Sequence, residues 1–499
     1  MTAQSDTLYE VTYFPEFPPT WSGALPFNLG DDDVLATRIT AGPDNRNRAG
    51  FAALSDGNKL EAQPQFTNFS KSVDRNVNGV AVGGTDWGPA NFNACRWTGP
   101  LNSRVLELLA AQDDRYSEAT GVADSGRIVG WLRTGGVGTP EHGWYWEPGG
   151  QELRLLSNQV PIPQSRALAV SPNGSYVGGY TVSGAVNIPG YWDMTLSRTY
   201  ISVSGWDMSR DGFVVAITDN PLGQEAPFLT GFAIGSSTSP AQAFAHDSNT
   251  GLTRFLPAGY GEPADMNNNR VIVGNGPMPW VWLGSDQPDG GAAIDFGAFV
   301  VPGTPVSGVV MSGVNNSTGE NDTMQFGGAR YTASSNSTFI TTTSSIWTRR
   351  EPATFVVKTG TFNFGQVTDA RRPDATRLNI ARSGGILPTP YKVIAEFTAQ
   401  DVNTVPNELW LRTTARVNVG RGFQLNLQFW DYQSEAWVNG SVPTGDITTH
   451  YLTVDSRAPG DLARFVQNGQ ILARLQVAEV GPVTGVWSVD IEQANWMKR

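Results

Sequence analysis

Five short apolar runs recur along the first 290 residues, each led by a turn residue and closed by a small one. Asn78-Gly79-Val80-Ala81-Val82-Gly83 returns as Ser125-Gly126-Arg127-Ile128-Val129-Gly130 and as Asn173-Gly174-Ser175-Tyr176-Val177-Gly178. Two more copies are Asp211-Gly212-Phe213-Val214-Val215-Ala216 and Asn269-Arg270-Val271-Ile272-Val273-Gly274. Measured at the closing residue, the intervals are 47, 48, 38 and 58 residues. Asn-Gly, Ser-Gly and Asp-Gly tolerate the positive φ of tight hairpin turns. The β-branched or aromatic run behind them reads as a buried strand. An aromatic cluster follows in most units: Phe92 to Trp97, Trp144-Tyr145-Trp146, Tyr191-Trp192 and Trp280-Val281-Trp282. A further turn leads to a short apolar strand, as at Val105 to Leu109 and Leu153 to Leu156. Each unit therefore predicts about four strands and no helix, the pattern of a propeller blade.

Five copies, with a degenerate one at Asn47 to Ala52, predict a β-propeller of five to seven blades over residues 41–294. Residues 1–40 are expected to be an N-terminal extension or a closing strand. Residues 295–352 are rich in Ser, Thr and Asn and read either as a linker or as a degenerate last blade. From residue 353 to 499 the repeat is gone, and period-two alternation takes over, clearest in Glu408 to Val417 and Phe423 to Trp430. That pattern predicts a β-sandwich or jelly roll, with Asp461 to Val466 as its candidate helical turn. The expected fold class is all-β.

The units resemble the bacterial extracellular HAF repeat, in which Ala-x-Asp/Asn-x-x-Gly-x-Val-Val-Gly precedes an Ala-Phe or Tyr-Trp strand and a Gly-Leu-Thr-x-Leu ending. The likeness is clearest from Ala241 to Gly274 and extends to Ala119–Leu156 and Ala167–Trp192. The His-Ala-Phe triplet itself is absent, and the fourth unit carries an insertion around Asn220 to Pro240. The C-terminal part resembles a sandwich domain of planctomycete-type surface proteins, with its Trp-rich closing strand at Trp487 to Trp496. These resemblances imply a secreted or cell-surface repeat protein and bring no catalytic residues with them.

Composition narrows the function classes. The 499 residues hold 34 Lys+Arg against 46 Asp+Glu, a net charge of −12, which argues against a nucleic-acid partner. One cysteine forbids an intrachain disulfide or a Cys-rich metal site. No stretch is long and apolar enough to predict a membrane span. The chain opens without a signal peptide, so an extracellular or cell-surface location would require one already removed. Only five of the cations are Lys, and a surface polar through Thr, Ser and Asn suits a secreted β-protein.

Candidate chemistry is sparse. His142, His246 and His450 lie far apart in sequence, and neither a His-Glu-x-x-His, a nucleophile elbow nor a phosphate loop occurs. No catalytic residue is assigned and no cofactor is expected. Asp31-Asp32-Asp33 and Asp113-Asp114 are acidic turns where weak calcium binding is the alternative to solvated loop. Trp87, Trp131, Trp144 and Trp146 would stack on sugar rings if exposed, and otherwise form blade core. The leading expectation is a non-enzymatic binding or structural protein, its propeller an interaction scaffold for a protein or glycan at the cell surface. The alternatives are a carbohydrate-binding or glycan-active protein using the propeller face, and a self-assembling coat, appendage or viral surface protein.

Overall fold

The computed structural model describes residues 8–14, 24–30, 33–41, 46–53, 59–62, 69–86, 92–109, 116–133, 135, 138–150, 153–157, 163–196, 198–219, 226–235, 241–256, 260–283, 293–315, 324–332, 336–344, 347–371, 377–383, 392–400, 405–419, 422–441, 445–447, 449, 451–480 and 486–499. Among them there is no α-helix, only strands and four short 3₁₀ turns. The strands form nine sheets, seven of four strands and two of six. The chain divides into two compact units: residues 12–290 with 307–342, and residues 1–11 with 291–306 and 343–499.

The first of these units is a propeller-like ring. Its sheets follow one another along the chain, beginning at Ala24–Leu29, Ser70–Arg75, Tyr116–Val122, Ser165–Val170, Asp211–Thr218, Glu262–Met266 and Val309–Val314. Every one of these first strands carries a β-bulge at the same place, the extra residues being Phe27, Val73, Thr120, Leu168, Val215, Ala264 and Ser312. Their spacing of 46, 47, 48, 47, 49 and 48 residues is the true period of the chain. A bulge bends and twists its strand, and it does so at one repeat position in all seven sheets.

Opposite the bulge, the second strand carries glycine in six sheets: Gly83, Gly130, Gly179, Gly231, Gly274 and Gly328. A Cβ at each would run into a first-strand carbonyl, that of Lys71, Glu118, Arg166, Phe213, Glu262 and Val310 in turn. The third strand covers four of these glycines with a ring in direct register: Trp144 on Gly130, Phe244 on Gly231, Trp280 on Gly274 and Phe339 on Gly328. Glycine is thus required by close approach, and the aromatic cluster fills the space it leaves.

The fourth copy needs correction here. In the other four copies the apolar run ends in a second strand, whereas Asp211–Thr218 is the first strand of its sheet and pairs with Phe228–Ile234. The intervals of 38 and 58 are uneven because the fourth run is a first strand while the other four are second strands. Both carry the same Val/Phe pattern, so the letters alone did not separate them. The first sheet starts at Ala24, so a break at residue 41 falls between its second and third strands, Val34–Ala41 and Arg46–Ala53. Within residues 295–352, Val309–Val314, Phe326–Tyr331 and Asn336–Thr343 form three strands of a seventh sheet.

Apolar clusters lie between consecutive sheets. Phe51 meets Trp97, Val82 and Ala94 meet Trp144, Tyr145 meets Trp192, and Tyr191 meets Phe244. Leu29 and Leu35 of the first sheet meet Ile340 of the seventh, which closes the ring. Phe14, buried, donates its N–H to the Thr338 carbonyl at 2.9 Å, so the chain's beginning pairs with the last-formed strand of that sheet. A chain of polar bonds runs the same circuit. Asn28 donates to Asp74, Asn76 Nδ2 to the Ala123 carbonyl at 2.8 Å, and the Asp124 N–H to the Pro172 carbonyl at 2.7 Å. The Asn173 N–H reaches Asp219 at 2.7 Å, Thr218 donates to Asn268, and Asn267 donates to the Asn315 carbonyl at 3.2 Å. Asn315 Nδ2 completes the loop on Asp33 at 2.7 Å, across 282 residues of sequence.

The other unit encloses one core between two six-stranded sheets. One has the order Thr361–Phe364, Leu378–Ala381, Ser488–Lys498, Leu409–Val417, Leu452–Arg457, with Thr348–Arg350 also on Ser488–Lys498. The other runs Thr354–Thr359, Lys392–Ala399, Ile471–Glu479, Phe423–Asp431, Ala436–Asn439, with Gly445–Ile447 also on Phe423–Asp431. Leu411, Ile491 and Trp496 of the first sheet share a buried cluster with Phe397, Leu427 and Leu475 of the second. The helical turn expected near Asp461 is a 3₁₀ turn at Leu462–Phe465, capped by Asp461 on the Ala463 N–H at 3.0 Å.

Candidate functional site

Three of the four tryptophans considered as stacking platforms are buried: Trp131 is 7% exposed, Trp144 0% and Trp146 4%. They are therefore not open platforms in this structure. Trp144 and Trp146 fill the apolar space between the second and third sheets of the ring. Trp87 lies outside the described residues, as do Asp31, Asp32, Asp113, Asp114 and His450. Asp33 is described; it takes a positive φ of 61° and accepts from Asn315, a turn role. His142 Nδ1 lies 3.2 Å from the Pro163 carbonyl, and His246 Nδ1 lies 2.9 Å from Thr253 Oγ1. Burial holds His246 down to about 4. Burial, with Glu118 adding, pushes the Cys95 thiol well above its ordinary value. No cluster of three or more His, Cys, Asp or Glu suited to a metal ion occurs among the described residues.

Charge and aromatic rings converge instead on the second, third and fourth sheets of the ring. Lys71, Glu118 and Arg166 each stand two residues before their bulge, at equivalent repeat positions. Lys71 Nζ lies 2.6 Å from Glu118. Arg166 reaches across to Glu141 of the third sheet, with Nη2 at 2.6 Å, and Arg133 Nη2 meets the same carboxylate at 2.7 Å. Two arginines from different sheets thus grip one glutamate, a charge-assisted fork of the strong kind. Burial works against the Glu141 carboxylate, but its bonds to Arg166 and then Arg133 outweigh that and hold its pKa below the ordinary value.

The aromatic side of the cluster is stacked. Tyr116 packs on Trp131 with centroids 5.4 Å apart and on Phe92 at 5.2 Å, both at 25°. The Arg166 guanidinium sits over Trp131 at 4.3 Å, and Arg133 lies 5.4 Å from both the Trp131 and Tyr116 rings. Cations over these rings gain roughly 0.5–2 kcal/mol each. Tyr180 continues the cluster into the fourth sheet, edge-on to Phe213 at 5.1 Å. Tyr116, Arg133 and Arg166 remain half-buried, so part of each still faces solvent. Of this site only Trp131 was singled out from sequence. The missing signal was the 47- and 48-residue spacing of Lys71, Glu118 and Arg166, visible only once units are aligned on first strands.

A cavity of about 200 Å³ lies along the ring, lined from the bulge onward by first-strand residues including Asp74, Arg75 and Asp265, and by Asp124 in the turn that follows Tyr116–Val122. Its carboxylates are engaged as staples. Asp74 accepts the Val122 N–H at 2.8 Å and Asp265 accepts the Val314 N–H at 3.0 Å, each from the next sheet. Asp124 accepts the Val77 N–H at 3.1 Å, and burial raises its pKa.

No protein-family model matches this chain, and neither does any curated protein. Among solved structures it is similar to an oligogalacturonate lyase in complex with manganese, at 10% identity and a TM-score of 0.43, over 69% of this chain and 99% of that one. A second oligogalacturonate lyase, from Vibrio parahaemolyticus, gives 9% identity and 0.41 over 68% and 98%. An exo-β-1,3-galactanase from Phanerochaete chrysosporium with galactose gives 8% and 0.27 over 98% and 100%. At such scores none of these likenesses bears on function, and the reading below rests on the geometry.

Proposed function

We propose that the chain is a seven-bladed β-propeller joined to a β-sandwich, that it works outside the cell or on its surface, and that the propeller recognises a glycan. The observation that carries the reading is the convergence of Tyr116, Trp131, Arg133, Glu118, Glu141 and Arg166 from neighbouring blades. Sugars present apolar C–H faces beside dense hydroxyls. A half-exposed tyrosine beside fixed guanidiniums and carboxylates offers both kinds of contact in one rigid place. Ion pairing has already oriented the charged groups, so a ligand would not have to order them.

Recognition is favoured over hydrolysis by the state of the Glu141 carboxylate. A general acid must hold a proton near its working pH. Glu141 is pushed the other way by its two arginines, and Glu118 is paired with Lys71. Glu141 is thus built to accept hydrogen bonds. Titration of the chain with a panel of oligosaccharides by calorimetry should find a binder. Tyr116→Ala or Arg133→Ala should weaken it about tenfold, some 1.4 kcal/mol. Undiminished binding in both variants, or no binder in the panel, would overturn the reading.

A further inference from the structure

On the sandwich unit, the outer face of the sheet Thr354–Thr359, Lys392–Ala399, Ile471–Glu479, Phe423–Asp431, Ala436–Asn439 departs from an ordinary solvated surface. The inward residues of its central strands are fully apolar: Phe397, Leu475, Leu427 and Phe429 all belong to the core. The outward residues are aligned in rows by the strand register. Glu396 pairs with Arg474, Arg474 with Gln428, and Gln428 with Asn439. The next row sets Gln476 beside Asn426, and Trp430 stands opposite Trp437. Four strands at about 4.8 Å spacing make this a strip roughly 14 Å across.

The strip is preorganised. Arg474 lies over the Trp437 ring at 3.9 Å and binds Glu396 through Nε at 3.2 Å and Nη2 at 2.5 Å. Lys358 adds a contact to the same carboxylate at 3.2 Å. Trp430 and Trp437 meet edge to face at 5.2 Å. Gln428 Nε2 and Asn426 Nδ2 both donate to Asn439 Oδ1, at 2.8 and 3.3 Å. The Asn426 amide oxygen is shielded from solvent and has no hydrogen-bond partner.

We propose that this face is a second binding site, for a neutral oligosaccharide. Its amides both donate and accept, as hydroxyls do, its carboxylate, Glu396, is held by Arg474 and Lys358, and its paired indoles supply the apolar side. It shares no residue with the propeller site, so the two readings stand or fall separately. The test uses the full chain carrying Tyr116→Ala, which weakens the propeller site about tenfold, titrated with cellohexaose, laminarihexaose, mannohexaose and galactohexaose. One hexaose should still bind, and adding Trp437→Ala or Gln428→Ala should weaken it at least tenfold while the fold, read by circular dichroism, is kept. Asn426→Asp, close in shape, should weaken it less than Trp437→Ala. No binding of any hexaose, or binding indifferent to all three changes, would overturn the proposal. So would self-association by light scattering that Trp437→Ala abolishes, which would assign the face to a second copy of the chain.

Discussion

At the scale of single residues, the ring depends on positions where no larger side chain fits. Gly130 sits under the Trp144 ring with the Glu118 carbonyl where its Cβ would be. Gly130→Ala should destabilise the ring unit by about 1–3 kcal/mol through overpacking, seen as a lowered midpoint in urea; an unchanged midpoint would refute the packing account. His246 makes a pH-dependent contribution. It is held neutral down to about 4 by burial, while the unfolded chain takes up its proton near pH 6.5. The unfolded state therefore binds more protons between those values, and stability falls as pH drops from 6.5 to 4, by on the order of 3 kcal/mol. Asp295 in the other unit runs oppositely. Burial first raises it to about 6, so its contribution is present below about pH 4 and is lost as pH rises through 6. Melts of the wild-type chain and His246→Gln across pH 4 to 7 should show the variant's ring unit less sensitive to acid. Equal acid sensitivity would remove His246 from the account.

At the scale of elements, the second and third strands of the second, third, fourth and sixth sheets were legible because glycine and a β-branched run or an indole mark them, whereas the second strand of the fifth, Phe228–Ile234, lies inside the segment that reads as an insertion. The first strands were not. Their bulges fall on Phe27, Val73, Thr120, Leu168, Val215, Ala264 and Ser312, residues that share no single marking side chain. A bulge is a property of register, and register is set by the partner strand. The residues whose meaning depends on it stayed hidden for the same reason, among them the staple Asp74 and the site residues Lys71, Glu118 and Arg166. Asp74 accepts from Asn28, the Arg75 N–H and the Val122 N–H, tying three consecutive sheets. Asp74→Ala leaves these donors unmatched and should cost about 2–4 kcal/mol, lowering the thermal midpoint of the ring. Asp74→Asn, which keeps one acceptor oxygen, should recover part of that. Full recovery with alanine itself would show the staple to be idle.

At the scale of the whole molecule, low charge and abundant glycine follow from strands buried on both faces between neighbouring sheets, held together without a disulfide. The ring is closed by residues far apart in sequence: the Asn315 side chain on Asp33, Ile340 on Leu29 and Leu35, and the Phe14 N–H on the Thr338 carbonyl. Removing residues 1–14 would bare the edge of Asn336–Thr343, and an unpaired edge strand invites intermolecular pairing. The shortened chain should aggregate by light scattering where the full chain stays monodisperse; a stable, monodisperse product would contradict closure by that segment. The functional claim meets its most direct test in a crystal structure of the chain soaked with the oligosaccharide it binds best. The account predicts a sugar ring against Tyr116 with its hydroxyls on Arg133 and on Glu118 or Glu141. Density for sugar elsewhere on the ring, with that cluster bare, would contradict it.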